Sequence, residues 1–196
     1  MSCDVIIIGA GPGGLATAKA MLDEGLTPLV FEASSAIGGQ WNFTQDNSGI
    51  WQGMHTNTSR ATTVFSDLSH QDGTLMFPSA ADIHAYLDRY AKTFDLLTHI
   101  HLNTRVTNVE QTADGFSVKV VSGDEHSQHF APQLVVASGR YNRAQMPAIE
   151  GLESFNGTAI HAFDFDDPAT FSGQKVLTIG NSISGLEIAA ELAKDP

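Results

Sequence analysis

Three glycines at fixed spacing, followed by a distant acidic residue, form the first pattern in this sequence that indicates chemistry. Gly9, Gly11 and Gly14 make a GxGxxG turn between an apolar run and a helical pattern. The first glycine permits a tight turn, the second lets the backbone approach a pyrophosphate, and the third lets helix and strand pack closely. The helix N-terminus offers unpaired amides to the phosphates. Glu32 ends the next apolar run, where its carboxylate would bind ribose hydroxyls and repel a 2′-phosphate.

The alternative for this first turn is a glycine-rich loop in an unrelated α/β protein. The context favours a dinucleotide, because a strand pattern precedes the turn and a helix pattern follows it. We therefore predict that FAD binds at residues 4–32, and that NADP does not bind there.

Two further glycine clusters resemble parts of a nucleotide site. Gly38 and Gly39 precede Gln40 and Trp41, and paired glycines let the chain pass close to a ligand. The alternative for this cluster is a surface turn beside a stray tryptophan.

A second strand–turn–helix pattern has the form GxSxxG, from Gly180 through Ser182 to Gly185. Serine replaces the middle glycine. Its side chain either loosens the approach of the backbone to a pyrophosphate or adds a hydroxyl to that approach. The alternative here is a helix cap on an ordinary strand–helix turn. The pattern echoes the first turn and so predicts a second dinucleotide site.

The elements that must position these residues predict an α/β fold. Apolar runs at 4–9 and 28–32 flank a helical pattern at 12–24, which is a βαβ unit with buried parallel strands. The pair Asp114-Gly115 indicates a hairpin within a small antiparallel meander. The other predicted elements are a helix over 79–94 capped by Ser79, strands at 99–103, 105–111, 116–121, 126–131, 134–137 and 175–180, and a helix over 182–194.

Residues 33–78 and 140–173 lack a regular pattern. A loop as long as 33–78 that carries aromatic residues is expected to pack around a functional site. We predict an FAD-binding domain at 1–150, a linker at 151–174, and the first strand and helix of an NADPH-binding domain at 175–196. A lone βα unit cannot bury both of its faces, so we expect this last part to be disordered, to lean on the first domain or to pair with another chain.

Composition excludes several other functions. The net charge of −12 makes nucleic acid and anionic membranes poor partners. No apolar run is long enough to span a bilayer, and the first residues do not have the pattern of a signal peptide. The single cysteine, Cys3, forms no internal disulfide, which fits a cytoplasmic location. The histidines are expected on the surface without a metal, and no GxSxG indicates a serine hydrolase.

A fourth motif ties these patterns to a known family. Phe155, Gly157, His161 and Phe165 match the pattern FxGxxxHxxx followed by Tyr or Phe, and they lie between the two glycine turns. With the GGxW of 38–41, the chain resembles the N-terminal half of the class B flavoprotein monooxygenases, the flavin-containing monooxygenase family. Further matches are Thr56-Asn57 before Phe65-Ser66-Asp67, and the strand end Ala137-Ser138-Gly139.

The resemblance implies a Rossmann-like, three-layer FAD-binding domain of the glutathione-reductase type, with a small β-meander and the start of a second Rossmann domain. It implies that FAD contacts come from Gly9, Gly11, Gly13, Gly14, Glu32, Gly39, Gln40, Trp41, Thr56, Asn57, Thr58, Val106, Ser138 and Gly139. It implies that NADPH contacts come from Gly180, Ser182, Ser184 and Gly185.

The family's chemistry implies a function. NADPH reduces the flavin, which captures O2 as a C4a-hydroperoxide and oxygenates a nitrogen or sulfur atom of a small molecule. Asn57 is the candidate catalytic residue, because an amide near the flavin N5 and C4a would hold the peroxide where water is excluded. The alternative for Asn57 is a side chain that satisfies backbone groups in a long loop. Phe165-Asp166 differs from the Trp-Pro of the Baeyer–Villiger relatives, which points away from ketone oxygenation.

Two other functions stay open. Family chains are longer, so this chain is expected to be incomplete alone, and a truncated, non-catalytic FAD- or nucleotide-binding module is the first alternative. A pyridine-nucleotide–disulfide reductase shares the two-turn layout, but it needs a redox cysteine pair or a catalytic cysteine, and Cys3 lies before the first strand. An oligomer is compatible with all three functions.

Overall fold

A parallel sheet at the start of the chain organises the part of the molecule that carries the first glycine turn. The computed structural model describes residues 3–44, 48–141 and 143–194. The chain divides into two compact units, 1–48 with 55–142, and 49–54 with 143–196. The predicted domain boundaries stay predictions.

The first unit opens with the predicted βαβ arrangement, which is confirmed. Strand β1 spans Val5–Ile8, helix α1 spans Pro12–Asp23, and β2 spans Pro28–Phe31. β1 pairs in parallel with β2, so that Val5 lies opposite Pro28 and Ile8 opposite Phe31. Both strands are apolar on both faces because each face is covered.

Among its described residues, the rest of the first unit contains one long helix and five strands. Helix α2 spans Ala80–Thr93, and the strands are β3 at Ile100–His101, β4 at Arg105–Gln111, β5 at Phe116–Ser122, β6 at Glu125–Ala131 and β7 at Gln133–Val136. The parallel sheet has the order β3-β2-β1-β7, and the antiparallel sheet has the order β4-β5-β6. The hairpin at Asp114-Gly115 and the meander are thus confirmed.

Alternating residues of the central strand face two different cores. Val5 and Ile7 pack with residues of α1 and α2, including Leu15 and Leu87. Ile6 packs instead with β-meander residues such as Val118. The parallel sheet therefore lies between a helical layer and the antiparallel meander, because successive side chains of a strand point to opposite faces.

Helix α2 begins where the sequence predicted. The Ser79 hydroxyl accepts a hydrogen bond from the Asp82 amide, and the Asp82 carboxylate accepts one from the Ser79 amide at 2.9 Å. This reciprocal capping box satisfies two amides that would otherwise lack a helical partner.

Two predicted strands differ in the structure. The strand expected at 99–103 is only Ile100–His101, because a 3₁₀ turn at Leu96–His99 precedes it and Asn103 adopts a left-handed φ of +52° after it.

The prediction of a strand at 175–180 is wrong, because these described residues form no strand. Leu177 in this run is 83% exposed. A strand needs hydrogen-bonding partners at its edges, and no described strand pairs with this run.

The second unit contains short 3₁₀ turns and helix α3. The turns lie at Leu152–Ser154, Ala162–Asp164 and Pro168–Phe171, and α3 spans Ile183–Leu192, which confirms the predicted final helix. A small core of Trp51, Phe165 and Ile188 holds this unit together. Within the described chain, no helix has the length and apolar character needed to cross a bilayer.

Candidate functional site

The first glycine turn has the close packing that its spacing predicts. Gly9 has a φ of +102°, and a Cβ placed on it would lie 2.6 Å from the carbonyl oxygen of Ala137. A Cβ on Gly14 would overlap the carbonyl of Gly9. Gly13, by contrast, faces open space, since a Cβ added to it would meet no heavy atom of the described residues within 4 Å. The turn is therefore tightly packed towards the sheet and open at Gly13.

Helix α1 begins at this turn without a side-chain cap. Gly11 is its N-cap residue with extended backbone, Pro12 occupies the first turn, and Leu15 donates from its amide to the Gly11 carbonyl at 3.0 Å. A glycine cap leaves the first amides accessible, and such amides with the helix dipole bind phosphate. The donor set at this turn therefore fits a pyrophosphate.

The second glycine pair lies directly against the first turn. The Gly38 amide donates to the Ala10 carbonyl at 3.0 Å. A Cβ on Gly39 would lie 2.9 Å from the Cα of Gly11, so the two backbones touch. The predicted close approach thus brings residues 38–41 and the GxGxxG turn together, with the 3₁₀ turn Gly39–Trp41 following.

Glu32 directs its carboxylate at the glycine turn. It is only 9% exposed, and its Oε2 accepts a hydrogen bond from the Ala10 amide at 2.7 Å. Its Oε1 accepts from the Ser34 amide at 2.8 Å and the Ser34 hydroxyl at 2.7 Å. Four acceptor positions on a carboxylate leave room for ribose hydroxyls beside these donors.

The end of β7 completes the same edge of the sheet. The Ala137 amide donates to the Ile8 carbonyl at 2.8 Å, so Ser138 and Gly139 follow β7 beside the turn that follows β1. Because β2, β1 and β7 are parallel neighbours, Glu32, the glycine turn and Ser138 share one carboxyl edge. Ligands of open α/β sheets bind at such an edge.

The remaining predicted flavin contacts occupy different environments. Trp41 is half-buried against the helix-side core, and Val106 packs with Ile6 and Phe31 on the meander side. Their contacts with a cofactor, like those of Gln40, stay predictions.

Asn57 lies exposed in a loop whose neighbours are fixed by hydrogen bonds. The Thr56 amide donates to the Pro78 carbonyl at 2.9 Å, and its hydroxyl donates to the Thr58 carbonyl at 2.8 Å. The Thr58 hydroxyl pairs with that of Thr63 at 2.6 Å. The loop thus has defined geometry on both sides of the exposed Asn57 amide, whose contact with a flavin stays a prediction.

The second glycine turn repeats part of the geometry of the first. Gly180 has a φ of +127°, and a Cβ on Gly185 would lie 2.5 Å from its carbonyl oxygen. Ser182 is the extended N-cap of α3, and Leu186 donates to its carbonyl at 3.1 Å. Ser182 makes no side-chain cap and, like Ser184, is exposed. The turn therefore has the predicted shape although the described residues before it, 175–180, form no strand.

The motif that carries the family resemblance has a packing role that sequence analysis missed. Phe165 is 3% exposed, its ring centroid lies 5.9 Å from that of Trp51, and the Gln52 amide donates to the Asp166 carbonyl at 2.7 Å. His161 accepts from the Phe163 amide at 3.0 Å through Nδ1. The motif thus anchors residues 49–54 within the second unit, and the isolated aromatic Trp51 was its only sequence signal.

A separate cleft of about 430 Å³ lies between the end of β2 and the meander. It is lined by Phe31 and Thr104 and by the histidines His101, His126 and His129. Burial, with a smaller contribution from His101, lowers the pKa of His129. Within residues 3–44, 48–141 and 143–194, no three His, Cys, Asp or Glu side chains converge as metal ligands.

Comparison with known proteins covers both glycine turns. The family described as FMO-like, flavin-binding monooxygenase-like, matches residues 2–196. A 4-hydroxybenzoate brominase (decarboxylating) from Marinomonas mediterranea is 33% identical over 191 residues, which are 97% of this chain and 36% of the relative. Dimethylaniline monooxygenase [N-oxide-forming] 2 from Pan troglodytes is 35% identical over 207 residues, 100% of this chain and 38% of the relative.

A solved structure shows the same fold. The S-allyl-L-cysteine S-oxygenase from Allium sativum superposes with a TM-score of 0.90 at 27% identity, covering 100% of this chain and 49% of that one. The chain therefore spans less than half the length of each of these proteins.

Proposed function

Because the chain belongs to the FMO-like, flavin-binding monooxygenase-like family, we propose that it is the FAD-binding part of an NADPH-using flavin monooxygenase. In this proposal the first unit is a three-layer domain of the glutathione-reductase type. The turn at Gly180–Gly185 begins a second dinucleotide-binding domain. The substrate is a small molecule that is oxygenated at nitrogen or sulfur.

The observation that carries the proposal is the approach of the Glu32 carboxylate to the Ala10 amide at 2.7 Å. This contact supports the proposal, because it holds a carboxylate suited to a ribose beside amides suited to a pyrophosphate. The touching backbones of Gly11 and Gly39 leave no space for a side chain between them. When bound there, FAD supplies the redox chemistry that accepts reducing equivalents from NADPH and activates O2.

This chain's own residues would perform three tasks. The amides that open α1 bind phosphate, and Glu32 orients the adjoining sugar. Asn57 would hold a hydrogen bond at the flavin edge, because its loop is fixed by Thr56 and Thr58.

The second turn supports binding of a second dinucleotide, which in this proposal is the reductant NADPH. Gly185 packs against the Gly180 carbonyl as Gly14 packs against that of Gly9, and the start of α3 has no side-chain cap, so its amides are available for a second pyrophosphate. The exposed Ser182 and Ser184 hydroxyls can add hydrogen bonds to those phosphates.

The relatives support oxygenation of nitrogen or sulfur, since one is named as N-oxide-forming and another as an S-oxygenase. The brominase has a different reaction in its name, so the reaction type of this chain rests on the proposal. The net charge of −12 supports a small-molecule substrate over nucleic acid.

A second candidate is a non-catalytic FAD-binding module. The exposed run 175–180 favours this candidate. A dinucleotide-binding domain whose first strand is unpaired lacks the sheet that would fix the position of its glycine turn.

An absorbance spectrum of the purified chain, before and after NADPH is added, tests both candidates. The monooxygenase proposal expects a bound flavin spectrum that NADPH bleaches without air and that recovers in air. A flavin spectrum that NADPH leaves unchanged supports the module. A colourless chain that takes up no added FAD contradicts both, and a Gly14→Ala variant is the control for specific uptake.

A further inference from the structure

One lysine joins the helix of the glycine turn to the loop that carries Asn57. Lys19 lies on α1, and its Nζ is 3.0 Å from the carboxylate of Asp67 and 2.6 Å from that of Asp23. The same ammonium lies 5.0 Å from the centroid of the Phe94 ring. The Lys19 and Asp67 side chains are only 20% and 29% exposed, so this is a partly buried, long-range contact.

Helix α2 holds the other side of the Asp67 segment. The Tyr90 hydroxyl donates to the Asp67 carboxylate at 3.3 Å, and the Phe65 ring lies 4.4 Å from the Tyr90 ring. The Tyr86 hydroxyl accepts from the Phe65 amide at 2.8 Å and donates to the Leu68 carbonyl at 2.7 Å. Residues 65–68 are therefore fixed between α1 and α2.

The charges of this contact persist through the neutral pH range. Partial burial raises the pKa of the Asp67 carboxyl, but the Lys19 ammonium, a backbone hydrogen bond and the Tyr90 hydroxyl together outweigh it, and the net pKa is lowered. Hydrogen bonds to Asp23 and then Asp67 raise the pKa of Lys19. Burial, followed by the charge of Asp67, raises the pKa of Tyr90 to about 12.

The fixed segment connects back to Asn57 through two hydrogen bonds. His70, just beyond it, contacts the Thr63 carbonyl through Nε2 at 2.7 Å, and the Thr63 hydroxyl pairs with that of Thr58 at 2.6 Å. These contacts form a route by which a displacement at Asp67 would reach Thr58, the residue next to Asn57.

We propose that Lys19 is a positioning residue. Through Asp67 it sets the position of the Asn57 amide relative to a flavin bound at the N-terminus of α1, the helix that carries Lys19. The inference rests on the proposed function, because it requires FAD at the first glycine turn. It adds a residue that acts on the flavin edge without contacting the cofactor, from two helical turns beyond the start of α1.

The test uses sulfite, which adds to the flavin N5 and reports the surroundings of that atom without NADPH. Lys19→Met, Asp67→Asn and Asn57→Ala are compared with the unchanged chain for FAD affinity and for the sulfite dissociation constant. Lys92→Met is the matched control, since Lys92 pairs with Asp88 of the same helix at 2.5 Å on an exposed face. Lys19→Arg tests rescue by a conserved charge.

The expected result separates binding from positioning. Lys19→Met keeps FAD affinity within about threefold. It changes the sulfite dissociation constant by about threefold or more in the same direction as Asn57→Ala, as expected for residues connected through one network of contacts. Lys92→Met changes neither constant, and Lys19→Arg restores the unchanged value. In the Asn57→Ala background, Lys19→Met adds no further change.

Other outcomes overturn the inference in distinguishable ways. A chain without substitutions that binds no FAD contradicts the proposed function as well. Bound FAD with an unchanged sulfite constant in Lys19→Met overturns the positioning role alone, and an additive effect in the Asn57→Ala background overturns the route through Asn57. If Lys19→Met unfolds, Asp67→Asn, which keeps an oxygen acceptor for Lys19, takes its place in the test. Bound FAD with an unchanged sulfite constant in Asp67→Asn then overturns the positioning role.

Discussion

The carboxylate of Glu32 accepts a hydrogen bond from the backbone amide of Ala10, with 2.7 Å between Oε2 and the nitrogen. The acid at the end of β2 is thereby held against the turn that follows β1. Two positions that are distant in sequence thus form one wall of the candidate site, and their separate contributions can be measured.

Glu32→Gln is expected to weaken FAD binding about tenfold or more, because it removes the charge from hydrogen bonds to ribose hydroxyls. Quenching of flavin fluorescence on titration measures the affinity. Glu24→Gln, at the exposed end of α1, is the control. Equal losses in the two variants would contradict a specific role for Glu32.

Gly14→Ala and Gly13→Ala are expected to have opposite effects on stability. The methyl group at position 14 overlaps the Gly9 carbonyl, whereas position 13 faces open space. We expect Gly14→Ala to lower the free energy of unfolding by about 1–3 kcal/mol, and Gly13→Ala to leave it unchanged or raise it by up to about 1 kcal/mol. Urea denaturation measures both, and a similar loss at both positions would be inconsistent with the packing described here.

Asp82→Asn tests the capping box through its pH dependence. Hydrogen bonds from the Ser79 hydroxyl and amide lower the pKa of the Asp82 carboxyl below its ordinary value of 3.8. A lowered carboxyl pKa stabilises the fold above that ordinary value, and this stabilisation is lost as pH falls through the lowered pKa.

The variant is therefore expected to be less stable than the unchanged chain at pH 7 by about 1 kcal/mol. The difference is expected to shrink as the pH falls below 3.8. Thermal or urea unfolding followed by circular dichroism measures it. Asp88→Asn, in an exposed pair on the same helix, is the control, and a difference between unchanged chain and Asp82→Asn that is independent of pH would argue against the cap.

Asn57→Ala is expected to leave FAD bound and to divert NADPH oxidation into hydrogen peroxide, because the flavin edge loses its amide. The measurement is the ratio of peroxide formed to NADPH consumed, in a chimera that joins this chain to the C-terminal portion of a longer relative. Asn108→Ala, on the exposed strand β4, is the control. Unchanged coupling in Asn57→Ala would refute the role.

Phe165→Ala is expected to destabilise the second unit by about 3–5 kcal/mol, since it empties the core around Trp51. In a Trp41→Phe background the only tryptophan is Trp51, and its emission should move to longer wavelength. Phe155→Ala removes a ring that is 60% exposed in the same motif and should leave the emission unchanged. A red shift from both substitutions would show that loss of the buried Phe165 ring is not the cause of the change in Trp51 emission.

Local patterns predicted the elements whose partners lie nearby in the chain. The apolar runs of β1 and β2, the glycines between them and the Ser79 cap each carry their own signal, and the structure has all of them. The run 175–180 failed as a prediction because apolar content alone does not supply the neighbouring strand that a sheet requires.

Contacts between distant positions left little trace in the sequence. Lys19 and Asp67 each resemble ordinary surface charges, and their pairing becomes visible only when α1 and the loop are placed together. Trp51 and Phe165 are likewise brought together by a turn-rich segment without periodicity.

The contact between the Gly11 and Gly39 backbones has a thermodynamic consequence for any ligand that binds over it. A wall built from main chain has no rotamers to freeze, so a ligand arriving there avoids the ordering cost that immobilised side chains impose, about 0.5–1.5 kcal/mol each. Its contour is also insensitive to side-chain substitution elsewhere in the fold. Affinity on this surface should therefore vary mainly with the flanking polar groups.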